Sequence, residues 1–187
     1  MSHFPRHRLR RAAHVIRQGG VVAYPTEAVY GLGCDPWNRA AVSRILAIKQ
    51  RDVSKGLILI AADPAQLTPF VEDLPAARMA EIRASWPGPH TWLLPIRSMT
   101  PRWLTGRFDT LAVRVTAHPL AAGLCRAFGG AIVSTSANRA DRPPARTSLR
   151  VRLALEDGPD LVLAGACGGS GRPSRIRDGR TGRVLRG

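Results

Sequence analysis

Leu9, Ala12, Ala13 and Ile16 recur at i, i+3, i+4 and i+7, which puts four apolar side chains on one stripe of a helix that Gly19-Gly20 closes. The apolar run Val21–Tyr24 then predicts a short buried strand. Helical spacing returns at Ala41, Val42, Ile45, Leu46 and Lys49, so a second helix is expected from Asn38, a good cap, to about Lys49. Residues 56–62, 90–96, 111–115, 131–134 and 160–165 read as strands. Pro64–Phe70 and Pro75–Ser85 read as helices with proline in the first turn, and His118–Phe128 as a helix ended by Gly129-Gly130. Thr147–Leu155 reads as a helix capped by Thr147 or Ser148, and residues 179–187 as a hairpin. Strands and helices alternate with short links. The fold class expected is therefore α/β: a single domain over residues 1–187 on a twisted mixed sheet, with residues 1–6 a flexible start.

Charge changes the picture of the surface. The chain carries 28 Lys and Arg against 13 Asp and Glu, a formal net charge of +15. Such a surface attracts polyanions, whether nucleic acid, nucleotides or acidic membranes, although a solvated arginine-rich face explains part of it equally well. All but two of those cations are arginine; the two lysines, Lys49 and Lys55, both fall in Ile48–Gly56. No apolar run reaches the roughly 20 residues of a membrane span. The basic start has no apolar core, so it does not read as a secretory signal. Cys34, Cys125 and Cys167 lie far apart, which fits a reducing cytoplasm and argues against a protein-bound metal.

Candidate chemistry sits in loops next to strands. There is no GxxxxGK[ST], GxSxG or HExxH, and Gly31–Pro36 fails GxGxxG at its last position. Thr26 and Glu27 put polar groups at a strand end, as a site or as a helix cap. Lys49, Arg51 and Lys55 set three cations within seven residues, as an anion site or as a solvated helix end. Arg114 stands inside apolar Leu111–Val115, either on a polar face or holding a carboxylate or phosphate. Val133–Asn138 offers three hydroxyls and an amide, a nest for a polar ligand or a turn cluster. Residues 168–178 are glycine-rich and basic, a phosphate cradle or a surface loop.

Taken together, YPTEAVYGLGCDP, KQRDVSKGLILI, WPGPHTWLLP, PRWLTGRFDTLAVRV, VSTSAN and PSRIRD, in this order from about His7 to the end, closely resemble the YrdC/TsaC family of threonylcarbamoyl-AMP synthases. The resemblance is to the short, single-domain bacterial form. It implies helices around a concave, positively charged cleft. It also implies synthesis of threonylcarbamoyl-adenylate and pyrophosphate from L-threonine, bicarbonate and ATP, with Mg2+ accompanying ATP and no organic cofactor. The product would feed modification of tRNA beside the anticodon, in the cytoplasm and with partner proteins, and tRNA or other RNA would meet the basic face. Carried over by position, Thr26, Arg114, Ser136 and Ser174 would bind threonine. Lys49, Arg51 and Lys55 would carry catalysis along the phosphates. Thr110, Asn138, Arg146 and Arg186 would complete the ATP site. Ala28 stands where many members have Thr, and Ile60 where longer members have a His. The rival readings are a non-catalytic RNA-binding or ribosome-assembly module and a carbamoyl-handling relative with another acceptor.

Overall fold

The computed structural model describes residues 6–140, 142–155, 158–170 and 174–186. The first apolar stripe folds as α1 (Arg6–Arg17), with Ala12, Ala13 and Ile16 buried. Of the start expected to be flexible, residues 1–5 lie outside the described residues and Arg6 begins the helix. Then follow β1 (Val22–Pro25), β2 (Tyr30–Gly33), α2 (Arg39–Lys49), β3 (Ile58–Ala61), α3 (Ala76–Ala84), β4 (His90–Pro95) and α4 (Arg102–Thr105). The chain continues through β5 (Thr110–Val115), α5 (Pro119–Phe128), β6 (Ile132–Ser136), α6 (Ser148–Ala154), β7 (Leu161–Val162), β8 (Arg175–Asp178) and β9 (Val184–Arg186). Asn38 caps α2 as expected, its Oδ1 accepting the Ala41 N–H at 3.0 Å, and Thr147 caps α6 through the Arg150 N–H at 3.2 Å.

The strands form one mixed sheet in the order β7-β1-β2-β6-β3-β5-β4-β8-β9. The pairs β1/β7, β3/β5 and β4/β8 are parallel and the rest antiparallel. Alternation along each strand sorts side chains onto two faces. Leu59, Trp92, Val113 and Val133 join the larger core with residues of α2, α3 and α6. On the opposite face, α1 and α5 cover Val22, Tyr24, Ile60 and Ile132. Further along that second face stand Ile58, Arg114, Ser134 and Ser136, which line an open cavity.

Five elements depart from the sequence reading. Residues 24–33 are a hairpin and not a loop, because Tyr30 and Leu32 bury into the larger core while Gly31 and Gly33 face the other way. A Cβ on Gly33 would meet the Val133 carbonyl oxygen at 2.6 Å, so the alternation that marks a strand is hidden by a glycine the packing requires. Between Pro64 and Phe70 only a 3-10 turn to Leu67 forms, and the Phe70 carbonyl accepts from the Arg97 N–H and Thr100 Oγ1. The strand expected over 160–165 shrinks to Leu161–Val162, and Gly165 is held by the Tyr30 hydroxyl at 2.6 Å. Finally, part of the glycine-rich segment is β8, which pairs with β4 and forms a hairpin with β9. The short helix α4 was not expected either. Cys34 and Cys125 are buried and Cys167 is half-buried. No helix among the described residues is long and apolar enough to cross a membrane.

Candidate active site

The turn between β1 and β2 builds the first wall. Thr26 donates through its backbone N–H and its Oγ1 to the Val29 carbonyl, at 3.0 and 2.7 Å, and this double tie buries Thr26. Glu27 is then turned toward the junction of β5 and α5. Its Oε1 accepts from Thr116 Oγ1 at 2.7 Å and from the Ala117 N–H at 3.0 Å. Its Oε2 lies 3.3 Å from Arg114 Nη2, with the side chains only 13% and 10% exposed. Burial resists ionisation of Glu27, but the Arg114 guanidinium and the two hydrogen bonds outweigh it and hold the carboxyl below its usual range.

Arg114 answers the question its sequence position raises. It points away from the core that takes Leu111 and Val113 and lines a cleft of about 260 Å³. Among the described residues its guanidinium makes no hydrogen bond, and its buried Nε has no partner. Arg51 and Arg186 line the same cleft. Burial, and then Arg186, lowers the proton affinity of Arg51; burial, and then Arg114, does the same to Arg186. Three guanidiniums therefore stand in electrical contact, and Glu27 is the carboxylate paired with one of them. Arg51 is oriented by a bond to the Gly56 carbonyl at 3.0 Å, and Arg186 by one to the Ser174 carbonyl at 3.3 Å. Ser174 Oγ in turn accepts from Thr91 Oγ1 at 3.0 Å.

A second cavity, of about 640 Å³, adjoins the first, and Pro144 lines both. It collects Asn138 and Arg146, together with Arg139 and Arg142. Ser136, on the first cavity, and Asn138, on the second, are tied by Ser136 Oγ donating to Asn138 Oδ1 at 2.5 Å. Asn138 Nδ2 also donates to the Arg139 and Arg142 carbonyls, at 2.9 and 2.7 Å, which folds the loop back on itself.

Lys49 stands behind this partition. Its Nζ donates to the carbonyl oxygens of Ser136 and Asn138 at 2.5 and 2.9 Å and to Asn138 Oδ1 at 3.2 Å. Burial, and then Arg51, pulls its ammonium down to about 8, so at neutral pH it still carries the three N–H donors that these three acceptors use.

The structure thus gathers Thr26, Arg51, Arg114, Ser136, Ser174 and Arg186 around one cleft and Asn138 and Arg146 around its neighbour. Lys49 lines neither, because its charge is turned inward to hold the loop. Lys55 is exposed at the end of a 3-10 turn and lines neither. Thr110 shares a strand face with Arg114 but stands four residues away, on the order of 13 Å along the strand. Sequence reasoning missed the Glu27–Arg114 pair and the role of Pro144. The pair joins an acid in one turn to an arginine in a distant strand, which no spacing along the chain reveals.

The Sua5/YciO/YrdC family model, described as telomere recombination, matches residues 14–187. Among curated proteins, the threonylcarbamoyl-AMP synthase of Nitrosococcus oceani is 59% identical over 97% of this chain and 98% of its own length. That of Halorhodospira halophila is 58% identical over 96% of this chain and 94% of its own. Among solved structures, P. abyssi Sua5 complexed with L-threonine superposes with a TM-score of 0.89 at 33% identity over 95% of this chain. The chain spans about half of that protein, 52% of its length. E. coli YciO gives a TM-score of 0.85 at 26% identity, covering 97% of this chain and 89% of the other.

Proposed function

The chain belongs to the Sua5/YciO/YrdC family, and from that premise we propose that it is a threonylcarbamoyl-AMP synthase. It would join L-threonine, bicarbonate and ATP into threonylcarbamoyl-adenylate, releasing pyrophosphate and water. The observation that carries this reading is the pair of adjoining cavities separated by the Ser136–Asn138 tie. One holds the Arg114 guanidinium, ion-paired to Glu27 but making no hydrogen bond among the described residues, and so suited to a carboxylate. The other is wide enough for a nucleoside and is ringed by arginines.

In this arrangement Arg114 takes the threonine carboxylate, beside Thr26, Ser136 and Ser174. Adenosine occupies the cavity of Asn138 and Arg146, and the phosphates lie toward Arg51 and Arg186, with Lys55 and Thr110 at the outer edge. The threonine amine attacks bicarbonate, a C–N bond forms and water leaves, giving a carbamate. A carbamate oxygen then attacks the α-phosphorus, and the bond from that phosphorus to the α,β-bridging oxygen breaks as pyrophosphate leaves. No protein nucleophile is required. The protein contributes positioning and charge: arginines neutralise what develops on the leaving pyrophosphate. ATP enters with its Mg2+ as part of the substrate. Lys49 acts one step back, fixing the partition on which both substrates rest.

A product of this kind would feed tRNA modification in the cytoplasm, through partner proteins that complete the transfer. The outer face of α1 supports contact with an RNA phosphate backbone. Arg6, Arg8, Arg10, Arg11 and Arg17 are exposed there, with no acidic residue in the helix. Its first turn carries cations where the helix dipole favours anions, a local cost that a polyanion would offset. Pyrophosphate release tests the whole reading. It should require both L-threonine and bicarbonate. Release without either, or none with all three substrates, would leave the non-catalytic RNA-binding reading in its place.

A further inference from the structure

We propose that Glu27 is a specificity-determining residue that decides which substrate group settles at Arg114, favouring a singly charged carboxylate and turning away a polyphosphate. The proposal rests on the reading of Arg114 as the carboxylate site. The cleft presents three arginines, Arg51, Arg114 and Arg186. A guanidinium accepts phosphate as readily as carboxylate, so Arg114 without a counter-charge is as good a phosphate ligand as the other two. ATP carries its charge concentrated in a short chain and could occupy the cleft end to end, closing it to threonine.

Glu27 breaks that equivalence. It lies 3.3 Å from Arg114, whereas Arg51 and Arg186 have no carboxylate partner among the described residues. The repulsion it exerts scales with the charge of the incoming group, so a triphosphate is penalised several-fold more than a carboxylate at the same place. Glu27 does this without using up the site. Its contact with Arg114 is electrostatic and not a hydrogen bond: Glu27 Oε2 and Arg114 Nε are both buried and unbonded. Its other oxygen is locked by Thr116 and Ala117, so the carboxylate neither swings onto the guanidinium nor leaves it. Arg114 therefore lines the cleft without a hydrogen bond to any described residue, while its charge is balanced by Glu27. Glu27 does not itself line the cleft, so its influence on the substrate passes through the field and through Arg114.

The test separates charge from shape. Equilibrium binding of L-threonine is measured with increasing inorganic tripolyphosphate in the full-length protein, in Glu27→Gln, in Glu27→Met and in Glu27→Asp. The two neutral variants should make tripolyphosphate a competitor of threonine at a concentration at least tenfold lower than in the parent. Glu27→Asp keeps the charge and should stay within about threefold of the parent. Thermal melting accompanies each variant, and either neutral variant that folds decides the matter. Unchanged competition in the folded neutral variants overturns the proposal, as does an equal shift in Glu27→Asp, which would make the role one of packing. Threonine binding that survives Arg114→Gln would instead overturn the reading of the cleft, and this proposal with it.

Discussion

Lys49 and Asn138 are joined twice, by Nζ to the Asn138 carbonyl at 2.9 Å and to its side-chain oxygen at 3.2 Å, and the ammonium reaches the Ser136 carbonyl with its third donor. This gives a reason for lysine in a chain that otherwise uses arginine. A compact ammonium with three diverging donors fits a buried point between three oxygens; a planar fork does not. Lys49→Arg should therefore overpack the site and cost about 1–3 kcal/mol. Lys49→Met should cost a similar amount, because it strips the Asn138 carbonyl of its ammonium donor and removes one of the donors to the Ser136 carbonyl and to Asn138 Oδ1. Lys55→Arg, at an exposed turn, should stay within about 0.5 kcal/mol. Denaturant unfolding of the three variants measures the contrast; a Lys49→Arg protein as stable as the parent would contradict it.

Arg114→Gln should abolish threonine-dependent pyrophosphate release and also destabilise the fold, because it strands the Glu27 charge. Removing one partner of a buried pair costs roughly 3–5 kcal/mol. The double variant with Glu27→Gln removes both charges and should recover most of the stability without recovering turnover. Melting and turnover measured on the two single variants and the double variant check both halves.

Glu27 also makes a prediction about acid. Its carboxyl is held below the usual 4.5 in the folded chain, against burial, by Arg114 and its hydrogen bonds. As pH falls the unfolded chain takes up this proton first, so the group's contribution is complete above the unfolded value and is lost as pH passes through the folded one. The slope of unfolding free energy against pH, between about pH 5 and 3, should be shallower in Glu27→Gln than in the parent.

The exposed arginines of α1 predict a salt-dependent RNA interaction. Replacing Arg6, Arg8, Arg10 and Arg11 by Gln should lower affinity for an RNA hairpin and flatten its dependence on salt, by up to about 0.9 in logarithmic slope for each phosphate no longer neutralised. Pyrophosphate release should be unchanged. Fluorescence anisotropy at several salt concentrations reads this out, and an unaltered slope would remove α1 from the RNA surface.

Much of the scaffold was legible because local periodicity and burial coincide. The stripe of α1, the capped α2 and the apolar β3 and β5 each carry their own signal within a dozen residues. Where the reading failed, a packing demand had replaced the signal. In β2 glycine stands at position 33 because Tyr24 and the Val133 carbonyl leave no room there for a Cβ. In β8 strand formation depends on β4, some 85 residues earlier, offering its parallel edge.

For the site, the sequence by itself determined the chemistry available: an arginine placed against the grain of an apolar strand, a hydroxyl-and-amide loop, two lysines in an arginine-rich chain. Motif order was enough to mark the family. Only the tertiary structure decided what each group faces. It set Glu27 behind Arg114 across 87 residues of chain, turned Lys49 inward to Ser136 and Asn138, and left Arg51 and Arg186 facing the same cleft. The physical reason is that a side chain's charge and donors are fixed by its type, whereas its partners and its dielectric surroundings are fixed by the strands and turns that reach it from elsewhere in the chain.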